Sequence, residues 1–283
     1  MSLAPLPKIL IEPLVRTALL EDLGLSGDLT TDLIVPPERT LHGVLRARDT
    51  GVVAGLDLAR LAFALIDPAI EVRVEREEGA PVRPGEILAR IHGPARGILT
   101  AERTALNFLG HMSGIASATA FVVAAVADTK AKIVCTRKTT PGLRVIEKYA
   151  VRAGGGSNHR FGLDDAILIK DNHIAIAGGA GAALRRAKAK AGHLVKIEIE
   201  VETLAELDEV LAIGTDAVLL DNMDLETLAK AVNLVNGRAI TEASGRVNAK
   251  SAPAIAATGV DLISVGGLTH SAAVLDIGLD FEA

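Results

Sequence analysis

Charged and hydrogen-bonding side chains recur where the predicted strands of the carboxyl-terminal part of the chain end. The first two strands are followed by cations, Arg137 and Lys138 and then Lys170. The next two end on carboxylates, Glu200 and Asp221. Because the carboxyl ends of parallel strands meet at one edge of a sheet, these groups are expected to converge on one ligand.

The cations of this region favour a small ligand that carries several negative charges. Beyond a glycine run, His159 and Arg160 add to Arg137, Lys138 and Lys170, although the whole chain has a net charge of -5. Arginine binds planar carboxylates and phosphates through paired hydrogen bonds, and lysine acts as a compact point charge. The sequence therefore predicts a multiply anionic substrate.

Two carboxylates at neighbouring strand ends suggest a magnesium site. Oxygen ligands suit Mg²⁺, so Glu200 and Asp221 are candidates to hold the ion beside a phosphate. Alternation along Lys196–Val201 and into Glu202 places Glu198 on the same face as Glu200. We expect Glu200 to face the ligand and Glu198 to belong to the polar interior of the barrel.

Small residues after the last two strands predict a phosphate site. Barrel enzymes frequently build such a site there, together with the amino end of a helix. Ser244, Gly245 and Gly266 supply the loops. A helix is expected to begin at Thr269 to Ser271, with His270 in its first turn.

The elements that must position these groups alternate between strands and helices from Lys132 onward. Right-handed crossovers then require a parallel sheet. About six units fall short of the eight of a closed barrel, so we expect an open α/β barrel, with a doubly wound sheet as the alternative. The predicted strands are Lys132–Thr136, Ala166–Lys170, Lys196–Val201, Ala217–Leu220, Ala239–Ala243 and Asp261–Val265. The predicted helices are Leu143–Ala153, Ala182–Ala191, Leu204–Ala212, Leu225–Val235 and Ala249–Ala257.

The first part of the chain has a different pattern, which predicts a separate, smaller α/β domain. Short alternating runs predict strands at Leu41–Arg48, Ile70–Glu75 and Ile87–His92. A helix is expected to begin after a Thr100 cap and to weaken at Gly110 and Gly114. We place the amino-terminal domain at residues 1–113 and the barrel at 114–283, with a carboxyl-terminal helix packing back on the first domain.

Composition excludes several classes of function. The negative net charge and an aromatic content of only 2% argue against nucleic acid as a partner. The strongest apolar stretch, Ala120–Ala127, is too short to cross a bilayer, and the start has no signal pattern, so no membrane partner and a cytoplasmic location are expected. Cys135 is the only cysteine and lies in an apolar run, which favours a buried, unreactive thiol in a reducing compartment.

Motifs spread over nearly the whole chain resemble those of the quinolinate phosphoribosyltransferase family. They occur in this order: Glu21–Gly24, Gly27–Thr31, Glu102–Asn107, Thr136–Gly142, Gly155–Arg160, Leu168–His173, Glu200–Glu202, Leu220–Asn222, Glu242–Gly245 and Val265–Ser271. The resemblance implies a pentosyltransferase that moves phosphoribosyl from phosphoribosyl pyrophosphate to quinolinate. Decarboxylation accompanies the transfer, giving nicotinate mononucleotide for NAD biosynthesis. It also implies an amino-terminal α/β sandwich, an open α/β barrel, and a homodimer that shares its active sites.

The resemblance further assigns residues to the two substrates. Quinolinate carboxylates are bound by a cationic set, and phosphoribosyl pyrophosphate with Mg²⁺ by a second, mixed set. The first set is Arg103, Arg137, His159, Arg160 and Lys170, with Arg103 reaching the site of the partner subunit. The second set is Lys138, Glu200, Asp221, Ser244, Gly245, Gly266 and His270. Lys138, Lys170, Glu200 and Asp221 are the expected catalytic groups.

Two alternatives remain open at the level of sequence. A paralogue of the same fold would use a different base, such as a monocarboxylate, although a monocarboxylate would leave cations of the first set unpaired. A carrier module is suggested by Glu78–Glu86, which resembles the hairpin of biotinyl and lipoyl domains but has no lysine at its tip. Arg246 departs from the small or neutral residue usual in the family after Ser-Gly, and His111 has no assigned role.

Overall fold

The structure of the protein, a computed structural model, describes residues 3–281 and divides the chain into two compact units. The first unit contains the chain up to Ala120 together with Thr140–Gly155 and the stretch from Ser271 onward. The second contains Phe121–Thr139 and Gly156–His270. Three segments of the predicted barrel region, namely residues 114–120, residues 140–155 and the stretch from Ser271, are therefore built into the first unit.

The elements occur in an order that begins with helices and then mixes both types. Up to the longest helix they are α1 (Lys8–Leu23), α2 (Leu29–Ile34), β1 (Thr40–Ala47), β2 (Gly51–Val52), α3 (Leu56–Ile66), β3 (Glu71–Val74), β4 (Pro81–Val82), β5 (Ile87–Pro94) and α4 (Ala95–Ala125). The remainder are β6 (Lys132–Val134), α5 (Arg144–Ala153), β7 (Ile167–Ile169), α6 (Asp171–Ala177), α7 (Ala180–Lys190), β8 (Ile197–Val201), α8 (Leu204–Ile213), β9 (Ala217–Asp221), α9 (Leu225–Val235), β10 (Ile240–Ser244), α10 (Ala252–Ala257), β11 (Leu262–Ser264), α11 (Gly267–His270) and β12 (Ile277–Phe281).

An antiparallel sheet of four strands, in the order β12-β1-β5-β3, organises the first unit. The three strands expected in this part of the chain are confirmed. The helix expected at the carboxyl end is wrong, because Ile277–Phe281 forms β12 and pairs with β1. The segment does pack on the first unit, as a strand whose hydrogen bonds extend the sheet.

The helix expected after Thr100 starts earlier and runs further, as α4. Thr100 lies inside it rather than at its cap, and its hydroxyl donates to Asp28 Oδ2 at 3.0 Å. Gly110 and Gly114 do not interrupt α4. A Cβ on Gly114 would collide with the carbonyl oxygen of Ala273, so these glycines allow the chain near residue 273 to pass closely. The domain boundary expected after Ser113 falls within this helix.

By length and composition alone, α4 could cross a membrane. The apolar stretch predicted to be too short is the end of this longer helix. However, 56% of its most apolar window is buried inside the protein. Ala101, Ala105, Leu109 and Met112 pack in the core of the first unit. This burial is typical of a core helix.

Six parallel strands in the order β6-β11-β10-β9-β8-β7 form the sheet of the second unit. All six predicted strands are confirmed. From β7 to β11 each strand lies beside its successor, and β6 lies beside β11. This is the cyclic order of a barrel opened between β6 and β7. In a doubly wound sheet the order of the strands would reverse at the middle of the sheet. The fold is therefore an antiparallel sheet domain with helices followed by an open α/β barrel.

Candidate active site

A cavity of about 790 Å³ lies where the six parallel strands end. All the predicted substrate-binding residues except one line it. They are Arg137, Lys138, His159, Arg160, Lys170, Glu200, Asp221, Ser244, Gly245, Gly266 and His270. The exception, Arg103, is exposed on α4 in the first unit.

Two cationic residues that line the cavity, Arg137 and Lys138, follow β6. The turn there is fixed by two hydroxyls: the Lys138 N–H donates to Thr136 Oγ1 at 3.0 Å, and Thr269 Oγ1 donates to the Lys138 carbonyl oxygen at 2.7 Å. Burial, and then the charge of nearby Arg137, lower the pKa of Arg160. Cations held close enough to perturb one another favour an anionic ligand that would neutralise them.

Lys170 and Glu200 form an ion pair across the ends of β7 and β8. The Lys170 Nζ lies 3.1 Å from Glu200 Oε2, and the Glu200 side chain is only 9% exposed. Burial raises the pKa of Glu200, while the hydrogen bond and charge of Lys170 oppose the rise. Glu200 lines the cavity, and its contact with a ligand stays a prediction.

The loops after β9 and β10 contain residues with a left-handed backbone conformation. Asn222 has a φ of 53°, and its side-chain amide donates to Asp221 Oδ2 at 2.6 Å. Gly245 has a φ of 121°, and a Cβ there would come within 2.6 Å of Asn222 Oδ1. Arg246, which also lines the cavity, has a φ of 47°. Left-handed backbone is costly for residues with a Cβ, so it is typical of sites where the loop geometry matters.

Gly266 leaves room for two functional side chains. A Cβ at this position would lie 3.2 Å from Lys138 Cδ and 3.4 Å from His270 Nε2. The helix expected to begin at Thr269 is instead the single turn α11, Gly267–His270, which ends at His270. The predicted start of the helix is therefore wrong, but His270 does lie in its single turn and lines the cavity.

His159 and the buried Glu242 line the floor of the cavity, and the partly buried Glu198, which is not part of the lining, contacts His159 from β8. His159 Nε2 lies 2.9 Å from Glu198 Oε2 and 3.6 Å from Glu242 Oε1. The backbone N–H of Arg160 donates to the other ring nitrogen, Nδ1, at 2.7 Å. Burial, and then the charge of Glu198, raise the pKa of Glu242 to about 7. Both nitrogens of His159 are thus engaged within the protein.

Sequence reasoning gave no role to Glu242, Asn222 or the cavity face of Arg246. Alternation along β10 was a usable signal for Glu242, because it turns that side chain inward with Ser244. Nothing in the sequence marks the left-handed backbone of Arg246. Cys135 is buried, as predicted, and its thiol lies 3.4 Å from Asn158 Oδ1.

His111, which the sequence did not explain, belongs to the first unit. Its Nε2 lies 3.0 Å from Glu147 Oε1, and the Glu147 side chain is fully buried. Burial would raise the pKa of Glu147, but hydrogen bonds from His111 and from the Thr140 N–H outweigh burial and lower it. The contact fixes the start of the Thr140–Gly155 segment within this unit.

Models of the two quinolinate phosphoribosyl transferase domains match the chain, the N-terminal domain over residues 28–113 and the C-terminal domain over residues 115–280. The nicotinate-nucleotide pyrophosphorylase [carboxylating] of Mycobacterium leprae is 47% identical over 271 residues, covering 94% of this chain and 95% of that protein. The probable enzyme of the same name from Bacillus subtilis is 43% identical over 270 residues, covering 95% and 93%.

Solved structures of similar proteins also match this chain. The crystal structure of NadC from Streptococcus pyogenes superposes with a TM-score of 0.95 at 41% identity, covering 99% of this chain and all of that one. The two domain models together match most of the chain, and the similar proteins cover it almost entirely. The chain belongs to the quinolinate phosphoribosyltransferase family.

Proposed function

We infer that this chain transfers phosphoribosyl from phosphoribosyl pyrophosphate to the ring nitrogen of quinolinate, releasing pyrophosphate and carbon dioxide and giving nicotinate mononucleotide. The observation that supports this most strongly is that one cavity is lined by arginine, lysine and histidine side chains together with carboxylates and glycines. A dicarboxylate and a phosphorylated, pyrophosphorylated sugar together carry the charge that such a cavity would neutralise. The product supplies NAD biosynthesis.

Quinolinate is assigned to cationic residues that line the cavity. Arg137, Arg160 and Lys170 bind its two carboxylates, and His159 lies beneath them. Arg103 completes the set from a second copy of the chain, since it is exposed and is absent from the residues that line the cavity of its own chain. The protein would then be a homodimer in which each site needs both copies.

Phosphoribosyl pyrophosphate is assigned to the part of the cavity formed by the loops after β10 and β11. The loops at Ser244–Gly245 and at Gly266 allow phosphate oxygens to approach the backbone, with Lys138 and His270 as their cationic partners. This arrangement places the anomeric carbon of the sugar between the two sets of residues, facing the ring nitrogen. Positioning of this kind is a large part of catalysis when two substrates must meet.

Glu200 and Asp221 fit a magnesium ion by the chemistry of their donors, since both offer carboxylate oxygens to the same cavity. Each uses one oxygen for a protein partner, Lys170 for Glu200 and Asn222 for Asp221. When bound, Mg²⁺ would neutralise charge on the pyrophosphate. The protein's own contribution is to orient these carboxylates through Lys170 and Asn222.

The chemistry requires no covalent bond to the protein. The nitrogen forms a bond to the anomeric carbon as the bond to pyrophosphate breaks, and Lys138 stabilises the negative charge on the leaving group. The ring nitrogen is then positively charged and accepts the electrons of the breaking bond to the 2-carboxylate. Carbon dioxide leaves, and the ring carbon takes a proton. We place this reaction in the cytoplasm, which suits a chain with one buried thiol.

A comparison of quinolinate with nicotinate tests the assignment. Purified protein with Mg²⁺ and phosphoribosyl pyrophosphate should convert quinolinate and leave nicotinate essentially unchanged, because a single carboxylate leaves a cation of the cavity unpaired. Nucleotide formation is followed by chromatography. Turnover of nicotinate in preference to quinolinate would assign the chain to a different base.

Arg246 yields a prediction in which stability and binding change in different directions. Arg246→Gly should keep or raise the free energy of unfolding by up to about 1 kcal/mol, because glycine relieves left-handed backbone strain. It should also raise the KM for phosphoribosyl pyrophosphate by about tenfold, since a charge-assisted contact to a phosphate is lost. Urea unfolding and steady-state kinetics measure the two effects.

Asn236→Gly is the matched control, because Asn236 also has a left-handed backbone, with a φ of 45°, but ends α9 away from the cavity. It should be at least as stable as the parent and leave the KM unchanged. An unchanged KM in Arg246→Gly would show that the guanidinium makes no phosphate contact.

A further inference from the structure

Two glutamates that lie beside His159 have no role in the transfer reaction described above. Glu198 comes from β8, Glu242 from β10, and His159 from the segment that precedes β7. The side chains of Glu198, His159 and Glu242 are 12%, 13% and 1% exposed. Two carboxylates this close together, one of them almost fully buried, require a compensating proton or cation.

The hydrogen bonds of His159 decide where its proton lies. The Arg160 N–H donates to Nδ1, so Nδ1 carries a lone pair and no hydrogen. The single ring proton is then on Nε2, which donates to Glu198 at 2.9 Å. A metal ion would need the lone pair on Nε2, so this arrangement favours a proton site over a metal site, although the three groups are close enough to surround an ion.

The Nε2 proton satisfies only one of the two carboxylates. Among the described residues, Glu242 Oε1 is buried without a hydrogen-bond partner. It lies 3.6 Å from His159 Nε2, beyond hydrogen-bonding distance. A second proton on the glutamate pair would remove one of the two adjacent negative charges and would supply the missing hydrogen.

We propose that Glu242 is a positioning residue that holds one proton beneath the substrate, while Glu198 accepts the Nε2–H of His159 and keeps it in that tautomer, and that the contact of His159 with the Arg160 N–H so orients Arg160 for a substrate carboxylate. The inference rests on the proposed function only for the identity of that carboxylate. Glu242 is the group that gains and loses the proton. The groups that face it are Glu198 from β8, His159 from its loop, and the uncharged Ser264 from β11.

The arrangement makes the affinity for an anion depend on pH. Burial and the charge of Glu198 raise the pKa of Glu242 to about 7, so Glu242 gains a negative charge as the pH rises through this value. That charge lies in the floor of the anion-binding cavity and opposes the substrate. Quinolinate should therefore bind more weakly with rising pH, and the substrate in turn should raise the pKa of Glu242.

Calorimetric titration of the intact protein with quinolinate tests this dependence. The Kd should increase on the order of tenfold between about pH 6 and about pH 8, as linkage to one proton allows. Glu242→Gln, which keeps the shape and removes the charge, should bind at alkaline pH as tightly as the parent binds at acidic pH. A parent Kd that does not change with pH would overturn the proposal.

Glu78 provides a matched control. Burial also raises its pKa to about 7, but its carboxylate accepts hydrogen bonds from the Gly55 and Leu56 N–H groups in the first unit and does not line the cavity. Glu78→Gln should keep the pH dependence of quinolinate binding. If Glu78→Gln lost that dependence, the pH dependence of quinolinate binding would come from a group other than Glu242.

Nitrogen-15 NMR of histidine-labelled protein tests the tautomer without substrate and therefore independently of the proposed function. The His159 signals, identified by their absence in His159→Gln, should show a protonated Nε2 and an unprotonated Nδ1 near neutral pH. Protonation of Nδ1 would overturn the proposal even if Glu242→Gln fails to fold. Absence of quinolinate binding together with the expected tautomer would contradict the proposed substrate and support the proton site.

Discussion

Replacing Lys170 with alanine is expected to reduce kcat/KM for quinolinate by about three orders of magnitude, the scale reached when a charge-stabilising group of an active site is removed. The variant loses a cation that faces the substrate. It also leaves Glu200, whose side chain is 9% exposed, without the ammonium group 3.1 Å away. The pKa of Glu200 should rise further, because Lys170 is what opposes the effect of burial. Steady-state kinetics with both substrates varied measures the loss.

Lys196→Ala is the control for this change. Lys196 forms a similar pair with Asp216 at 2.6 Å, but at the amino ends of β8 and β9 and with 79% of its side chain exposed. Exposed pairs contribute little, so kcat/KM should stay within about twofold of the parent. If Lys170→Ala retained activity comparable to that of Lys196→Ala, the role given to Lys170 would be wrong.

Arg103→Ala is expected to lower activity by about two to three orders of magnitude if each site borrows this arginine from its partner. Arg103 is exposed on α4 and is absent from the residues that line the cavity of its own chain. Lys138→Ala should be similarly inactive, because Lys138 belongs to the cavity itself. In the homodimer of either variant both sites are then defective. The Arg103→Ala sites lack the residue from the partner, and the Lys138→Ala sites lack a residue of the cavity itself.

Mixing and exchanging the two inactive variants tests the sharing directly. A mixed dimer puts both substitutions into one site and leaves the other site intact, so random exchange should restore about a quarter of the parent activity. Size-exclusion chromatography and native mass spectrometry verify that mixed dimers form. Mixed dimers without regained activity would mean that Arg103 acts within its own chain or not at all.

Local patterns were sufficient to predict the barrel. Alternation and β-branched runs located all six strands of the second unit, and the residue types at their ends indicated one anionic site. The short helix α6 was missed because Asp171, Asn172 and His173, with which it starts, compete with helical hydrogen bonding in isolated chains. Its start is fixed instead by a local capping contact, the hydrogen bond that the Lys170 N–H donates to His173 Nδ1 at 2.9 Å.

Features that depend on distant parts of the chain escaped prediction. Gly110 and Gly114 weaken a helix when only their neighbours are considered, yet α4 continues through them because residues 273–275 pack there. Likewise, β12 is a strand because β1 offers it a free edge more than 200 residues earlier in the chain. The contact between His159 and Glu242 joins segments that nothing in the sequence relates.

The products of one turnover test most directly whether this chain transfers phosphoribosyl to quinolinate with decarboxylation. Quinolinate labelled with carbon-13 in its 2-carboxylate is incubated with the protein, Mg²⁺ and phosphoribosyl pyrophosphate. We expect one labelled carbon dioxide and one pyrophosphate for each nicotinate mononucleotide formed, with no label left in the nucleotide. Pyrophosphate release without labelled carbon dioxide, or a nucleotide that retains the label, would contradict the proposed function.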